Sequence, residues 1–393
     1  MPGSSVDGPQ AGSEPAGFDA VILLGFGGPE GQDDVLPFLR NVTRGRGIPE
    51  ARLETVATHY RASGGVSPVN AQNRALRDAL QAELAARGTA VPVYWGNRNW
   101  APYLRDAVSE AVAADHTRLL ALTTSAYSSF SSCRQYRDDL AEARLATGVG
   151  DAVRIDAVRP YFDHPGFVAP FVLGVRSALA DFARQGLAQP DVHVLFTTHS
   201  IPTKDAERSG PRERSFGVGG AYEAQHRAVA AVVMAAVHAA VADGDLAGVT
   251  PAWSLAFQSR SGPPGMSWLE PDVNDAIALL AAAGTRAVVV VPIGFISDHM
   301  EVTWDLDTEA AATAAAHHLG FARVPTPGLH PAFVAGLVDL LLESLTTATA
   351  PERCALTALG PWPDVCPEGC CEKGPAGRPG ATRGIPPIGY SRR

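Results

Sequence analysis

Short apolar runs alternate along this chain with longer stretches of helical spacing, and that alternation constrains its fold more than any other feature. The runs are Ala20–Leu24, Val91–Trp95, Leu119–Thr123, Val153–Val158, Val192–Thr197, Trp253–Phe257 and Ala287–Ile293, of strand length and rich in β-branched residues. Between them, Ala71–Arg87 places Leu76, Leu80 and Leu84 on one helical face with charges elsewhere. Ala221–Ala242, Val273–Ala283 and Pro331–Leu345 read as further helices. Strands separated by helices pair in parallel, with both sheet faces covered. The order recurs before and after residue 150, which implies an α/β protein of two doubly wound domains, 18–150 and 151–350. Residues 351–372 form a Cys-rich extension, and the ends 1–17 and 373–393 are expected to be disordered.

Two such domains need a large core, and 46% of the 393 residues are apolar against 19% charged. A net charge of -9 gives no basic field, so nucleic acid is not an expected partner. The apolar runs Ala228–Ala242 and Ala287–Ile296 fall short of the ~20 residues that span a bilayer. Residues 1–17 lack the features of an export signal. A cytoplasmic protein with no transmembrane segment is expected. There, Cys133, Cys354, Cys366, Cys370 and Cys371 argue for metal or cluster ligation rather than disulfides.

Open parallel sheets bind ligands beyond the carboxyl ends of their strands. His199 follows Val192–Thr197, Gln258-Ser259-Arg260 follows Trp253–Phe257, and Asp298-His299 follows Ala287–Ile293. Three strands thus carry polar groups to one rim. The loop Gly25–Pro29 lacks the spacing of a dinucleotide cradle, and no G-x-S-x-G marks a serine hydrolase. Arg44 and Arg46 sit in a Gly-containing loop, suited to solvent or, through the guanidinium fork, to carboxylates. Glu301, Asp305 and Glu309 recur at i, i+4 and i+8, so they are expected on one face of a helix. Three like charges weaken a helix, and a divalent cation would offset their repulsion. Cys366, Cys370 and Cys371 match neither a zinc-finger nor a thioredoxin spacing, and Cys133 is the natural fourth ligand for a cluster.

Together these motifs resemble the ferrochelatase family. Thr198-His199-Ser200-Ile201-Pro202 is similar to its T-H-S-x-P segment, and the stretch from Phe257 to Pro263 to its F-Q-S-x-x-G-P segment. Trp268-Leu269-Glu270-Pro271 follows as in that family. The stretch from Pro292 to Glu301 resembles P-I-x-F-x-x-D-H-x-E, and that from Ser63 to Pro68 contains G-G-x-S-P. The likeness covers about residues 18–371 and is nearest to actinobacterial forms, through 94–100, 127–136 and the Cys-bearing tail.

The resemblance implies two Rossmann-like, chelatase-like domains with a porphyrin cleft between them. It implies a lyase-class enzyme of haem biosynthesis that inserts Fe2+ into a porphyrin, coproporphyrin III in the nearest subgroup. His199 and Glu301 would face each other across the ring centre, with the roles of base and metal ligand open between them. Asp305 and Glu309 would continue a path for metal or protons. Arg44, Arg46, Ser67 and Tyr127 would contact propionates. Phe26 stands where some relatives place a metal-contacting Tyr, and it has no oxygen to offer. A [2Fe–2S] cluster would sit on Cys133, Cys366, Cys370 and Cys371, with Cys354 as a substitute ligand. A monomer is expected. The rival readings are a protoporphyrin IX enzyme, a cobalt chelatase and a non-catalytic haem-binding protein.

Overall fold

The computed structural model describes residues 17–45, 47–148, 150–187, 191–244, 246, 248, 250–261, 265–345 and 353–373. Arg46, Gly262 and Pro263 lie outside these, as do most residues of the segments 1–17 and 373–393.

Strands β1 (Ala20–Gly25), β2 (Val93–Asn97), β3 (Arg118–Thr123) and β4 (Arg154–Ala157) form a parallel sheet in the order β2-β1-β3-β4. Helices α1 (Val35–Val42), α2 (Glu50–Ala62) and α3 (Val69–Ala86) lie between β1 and β2. Helix α4 (Leu104–Ala113) joins β2 to β3, and α5 (Gln135–Ala146) joins β3 to β4. Then α6 (Pro165–Arg184) leads into a second parallel sheet of β5 (Val192–His199), β6 (Ala252–Gln258), β7 (Ala287–Val291) and β8 (Gly320–Arg323). Its order is β6-β5-β7-β8, the same arrangement as the first. Helices α7 (Thr203–Glu207) and α8 (Gly220–Ala242) join β5 to β6, and α9 (Val273–Ala282) joins β6 to β7. The last crossover is α10 (Met300–Val302), a π-helical stretch Thr303–Ala310, and α11 (Ala311–Ala316). Helix α12 (Pro331–Leu345) ends the series.

Every residue of β1 and β7 is buried, as strands covered on both faces must be. The halves share a core. One apolar cluster joins Val21 and Leu23 of the first sheet to Val194, Phe196 and Val289 of the second. Helix α12 packs on both α6 and α3, and so ties the end of the second half to the first.

Two expectations change and one strand is added. The segment after residue 150 still belongs to the first sheet, because β4 pairs with β3 from Arg118↔Arg154 to Ala121↔Ala157. That sheet therefore runs past the boundary read from sequence. Strand β8 is an addition: Gly-Phe-Ala-Arg holds no β-branched residue and is recognised only through its pairing with β7. Helices α6 and α8 are both long and apolar enough to cross a bilayer, contrary to the apolar-run count. They pack on one another, and Phe167, Phe171, Val233 and Val237 enter the shared core.

Candidate active site

A doubly wound sheet opens a crevice where neighbouring strands send their connections to opposite sides. In the first sheet that point lies between β1 and β3, and in the second between β5 and β7. The carboxyl ends of all four strands meet at one cleft of about 2000 Å³, lined by Phe26, Tyr127, His199 and Phe295 among others. Tyr127 Oη donates to the Ile293 carbonyl at 3.0 Å, a direct link between the two switch points. Gly27 has φ +85 and packs on Asn97 and Trp100, where an added Cβ would come within 2.8 Å of Asn97 Cβ. Only glycine fits this turn well.

His199 ends β5 and faces the cleft. Its Nδ1 meets the Ser200 carbonyl, which can only accept, so Nδ1 carries a proton and Nε2 is the nitrogen left to face the cleft. Nε2 lies 3.6 Å from Glu301 Oε2. Behind it, Tyr222 Oη donates to the His199 carbonyl at 2.8 Å and touches Thr198 Oγ1, which in turn meets His226 Nε2 at 2.9 Å. His226 is fully buried, and that burial pushes its pKa down to about 3, so it is a neutral structural partner. Nothing in the local sequence around His226 distinguished it from an ordinary helix residue.

Glu301 begins the helical crossover. His299 caps it, accepting the Glu301 N–H at Nδ1, so two imidazoles flank one carboxylate. Burial lowers the His299 pKa, with the nearby Glu301 charge opposing. Asp298 is a brace: its carboxylate takes Arg323 Nη1 and Thr326 Oγ1, both at 3.0 Å.

The acidic row departs from the expected α-helix. Thr303–Ala310 is π-helical, whose i→i+5 hydrogen bonds widen the turn, a form frequent at functional sites. Glu301 and Asp305 line the cleft, whereas Glu309 does not and instead accepts the Trp304 indole N–H at 2.9 Å. Ser259, held at φ +62, turns its hydroxyl onto Asp305, and Gln258 Nε2 approaches at 3.4 Å. A non-glycine residue held in that region costs energy and marks a constrained site. Among the described residues no three His, Cys, Asp or Glu side chains form a group able to hold one metal ion. Among the described residues the row is therefore not a preformed chelating site.

Burial pushes the Asp305 carboxyl up to about 7; the Ser259 hydrogen bond opposes this, and the charges of Glu301 and Glu309 add to it. Its unfolded value is about 3.9, so the folded chain binds this proton more tightly and stability falls as pH rises from about 4 to about 7. Asp305→Asn is therefore expected to stabilise the protein by on the order of 2 kcal/mol at pH 8, allowing for solvent screening, and little at pH 4. Denaturant melts at both pH values check this, and equal gains at the two would refute it.

Of the residues expected to contact substrate, Arg44, Ser67 and Phe26 line the cleft. Phe26 is 40% exposed there. Tyr127 is different: it is 2% exposed, its hydroxyl is engaged, and its ring stacks on His226 at 3.6 Å. It forms the floor of the cleft. Sequence reading missed a further basic wall, Arg208, Arg212 and Arg214, in the loop between α7 and α8.

The tail returns beside this wall. Cys133 Sγ lies 3.9 Å from Cys371 Sγ, which lies 3.8 Å from Cys370 Sγ. Cys366 lies beside Cys133 and Cys370, so that the four thiols form a ring. Hydrogen bonds from Cys133 and Cys370 bring Cys366 down to about 3, and the shared proton pushes Cys133 up to about 12. Cys354 is exposed, and its backbone oxygen accepts from Arg159 at 3.1 Å.

The chain matches the ferrochelatase family model over residues 18–345. It is 55% identical to the coproporphyrin III ferrochelatase of Leifsonia xyli over 386 residues, covering 95% of this chain and 96% of that one. With the protein of the same description from Streptomyces griseus it shares 53% identity, over 91% of this chain and 94% of the relative. A ferrochelatase of Rhodopirellula baltica is 44% identical over 95% of this chain and 99% of its own length. The family match spans both sheets and the cleft between their switch points, and the chain belongs to the ferrochelatase family.

Proposed function

We propose that the protein is a cytoplasmic coproporphyrin III ferrochelatase, which inserts substrate Fe2+ into the macrocycle with release of two protons. The observation that carries this is His199 Nε2 facing Glu301 Oε2 at 3.6 Å in a cleft edged by Arg44 and the 208–214 arginines. Insertion needs a lone pair that can take a pyrrole proton or hold iron, and an anion to take the complementary part. His199 Nε2 and the Glu301 carboxylate supply them. Asp305, with a pKa near the working pH, passes protons between Glu301 and the surface. Phe26 supplies a flat apolar surface and no ligand atom.

A [2Fe–2S] cluster fits the thiol ring. Without a cation the ring holds one favoured thiolate, on Cys366, against three raised thiols. Four thiolates need a metal to balance them. A binuclear group would be held by Cys133, Cys366, Cys370 and Cys371. When bound, the group supplies a covalent tie between the tail and the first half of the chain; iron insertion itself transfers no electrons.

Substrate choice tests the coproporphyrin reading. Its ring carries two more carboxylates than protoporphyrin IX, and one charge-assisted hydrogen bond is worth about 1.5–3 kcal/mol, at least tenfold in selectivity. Anaerobic kinetics are expected to give a higher kcat/KM for coproporphyrin III, a preference that shrinks in Arg44→Ala. Equal or better use of protoporphyrin IX by the unaltered enzyme would overturn this substrate and leave the family assignment standing.

A further inference from the structure

The wall Arg208–Phe216 lines the cleft without regular secondary structure, and within it only Arg214 N–H bonds back, to the Pro211 carbonyl. Ser209 is held by α7 and α8, its N–H on the Ala206 carbonyl and its own carbonyl and hydroxyl taking the Ala221 and Tyr222 N–H groups, and beyond it residues 353–373 make the contacts. Gly210 N–H donates to Cys371 Sγ at 3.2 Å, and Arg212 pairs with Glu372 at 2.6 Å. Arg212 also lies so close over Gly369 that a Cβ there would fall 2.5 Å from its Nε. Arg214 sits 5.4 Å over the ring of Trp362, which is fully buried against Phe162 and Phe216. The base of the segment is fastened as well, by Thr357 Oγ1 and Leu356 N–H on Asp163, both at 2.9 Å.

The ring's fourth thiol comes from the opposite wall. Cys133 lies in the turn Phe130–Arg134, which lines the cleft from the first half of the chain, and Lys373 Nζ stands 5.2 Å over Phe130. The tail therefore grips both walls, one through Cys133 and the other through Cys371.

We infer that residues 353–373 are a strap whose thiol ring clasps the wall Arg208–Phe216 to the wall Phe130–Arg134, so that porphyrin affinity depends on the ring being closed. Trp362 seats the strap, and the thiols lock it. Opening the ring releases the part from Gly210 to Phe216, which has one backbone hydrogen bond of its own, and such a segment unfolds locally at small cost. The placement of Arg208, Arg212 and Arg214 along the cleft is then lost. The clasp stands without the porphyrin reading; the effect on affinity rests on it.

Trypsin tests the clasp directly, because it cuts after arginine. In full-length Cys371→Ser, cleavage after Arg208, Arg212 and Arg214 is expected to accelerate at least ~10-fold relative to cleavage after Arg77 on α3, read by mass spectrometry. Coproporphyrin III, followed by fluorescence titration, is expected to bind at least ~10-fold more weakly. Cys133→Ser opens the ring from the other wall while sparing Trp362 and the Gly210 contact, and the same two changes are expected there. Wild-type cleavage and wild-type Kd in both variants overturn the inference. Faster cleavage in a protein that binds no porphyrin in any form keeps the clasp and removes the proposed substrate.

Discussion

His199→Ala is expected to abolish iron insertion while porphyrin still binds. The proposed substrate would be held by contacts around its periphery in a cleft of about 2000 Å³, whereas His199 Nε2 faces Glu301 Oε2 at 3.6 Å. His299 does not replace it, because its Nδ1 is already capping the helix. Glu301→Gln keeps the shape and removes the charge, and it is expected to slow insertion by at least ~10². Glu309→Gln is expected to cost far less, since that carboxylate lies outside the cleft lining and is tied to Trp304. Following the Soret and Q bands anaerobically gives the rates, and a fluorescence titration gives the affinities. Normal turnover by His199→Ala would sink the catalytic assignment, and equal losses at Glu301 and Glu309 would remove any special place for Glu301.

The second large effect is a colour. Protein purified without chelator is expected to be red-brown, with roughly two irons and two acid-labile sulfides per chain. Cys133→Ser, Cys366→Ser, Cys370→Ser and Cys371→Ser should each bleach it, because each opens the ring of sulfurs. Cys354→Ser should not, since Cys354 is exposed and its backbone oxygen is held by Arg159. Visible absorption kept by one of the four, or lost with Cys354, would reassign the ligands.

Much of the fold was legible because burial writes itself into composition. Ala20–Leu24 and Ala287–Val291 are apolar throughout, which is what a strand covered on both faces requires. Where burial is partial the signal fades: every residue of β8 is half-buried and none is β-branched, so pairing with β7 alone makes it a strand. The acidic row shows the same limit. Its spacing brought out Glu301, Asp305 and Glu309 together, but the π-helical turn puts only the first two in the cleft.

What the sequence determined by itself was chemistry attached to strand ends: His199 after β5, Gln258 and Ser259 at and after β6, and Asp298 to Glu301 after β7. Local pattern suffices there, because a parallel sheet carries its loops to one rim whatever else the chain does. What only the tertiary structure decided was long-range company. Tyr127 became a floor residue because a second half of the chain placed the Ile293 carbonyl and His226 against it. Arg208, Arg212 and Arg214 became a wall because a tail some 150 residues later lies behind them, from Leu359 O on Arg214 to Glu372 on Arg212. Cys133 met Cys371 across 238 positions. Such contacts leave no periodicity in the chain, since they depend on how two sheets and a tail pack and not on what lies one helical turn away.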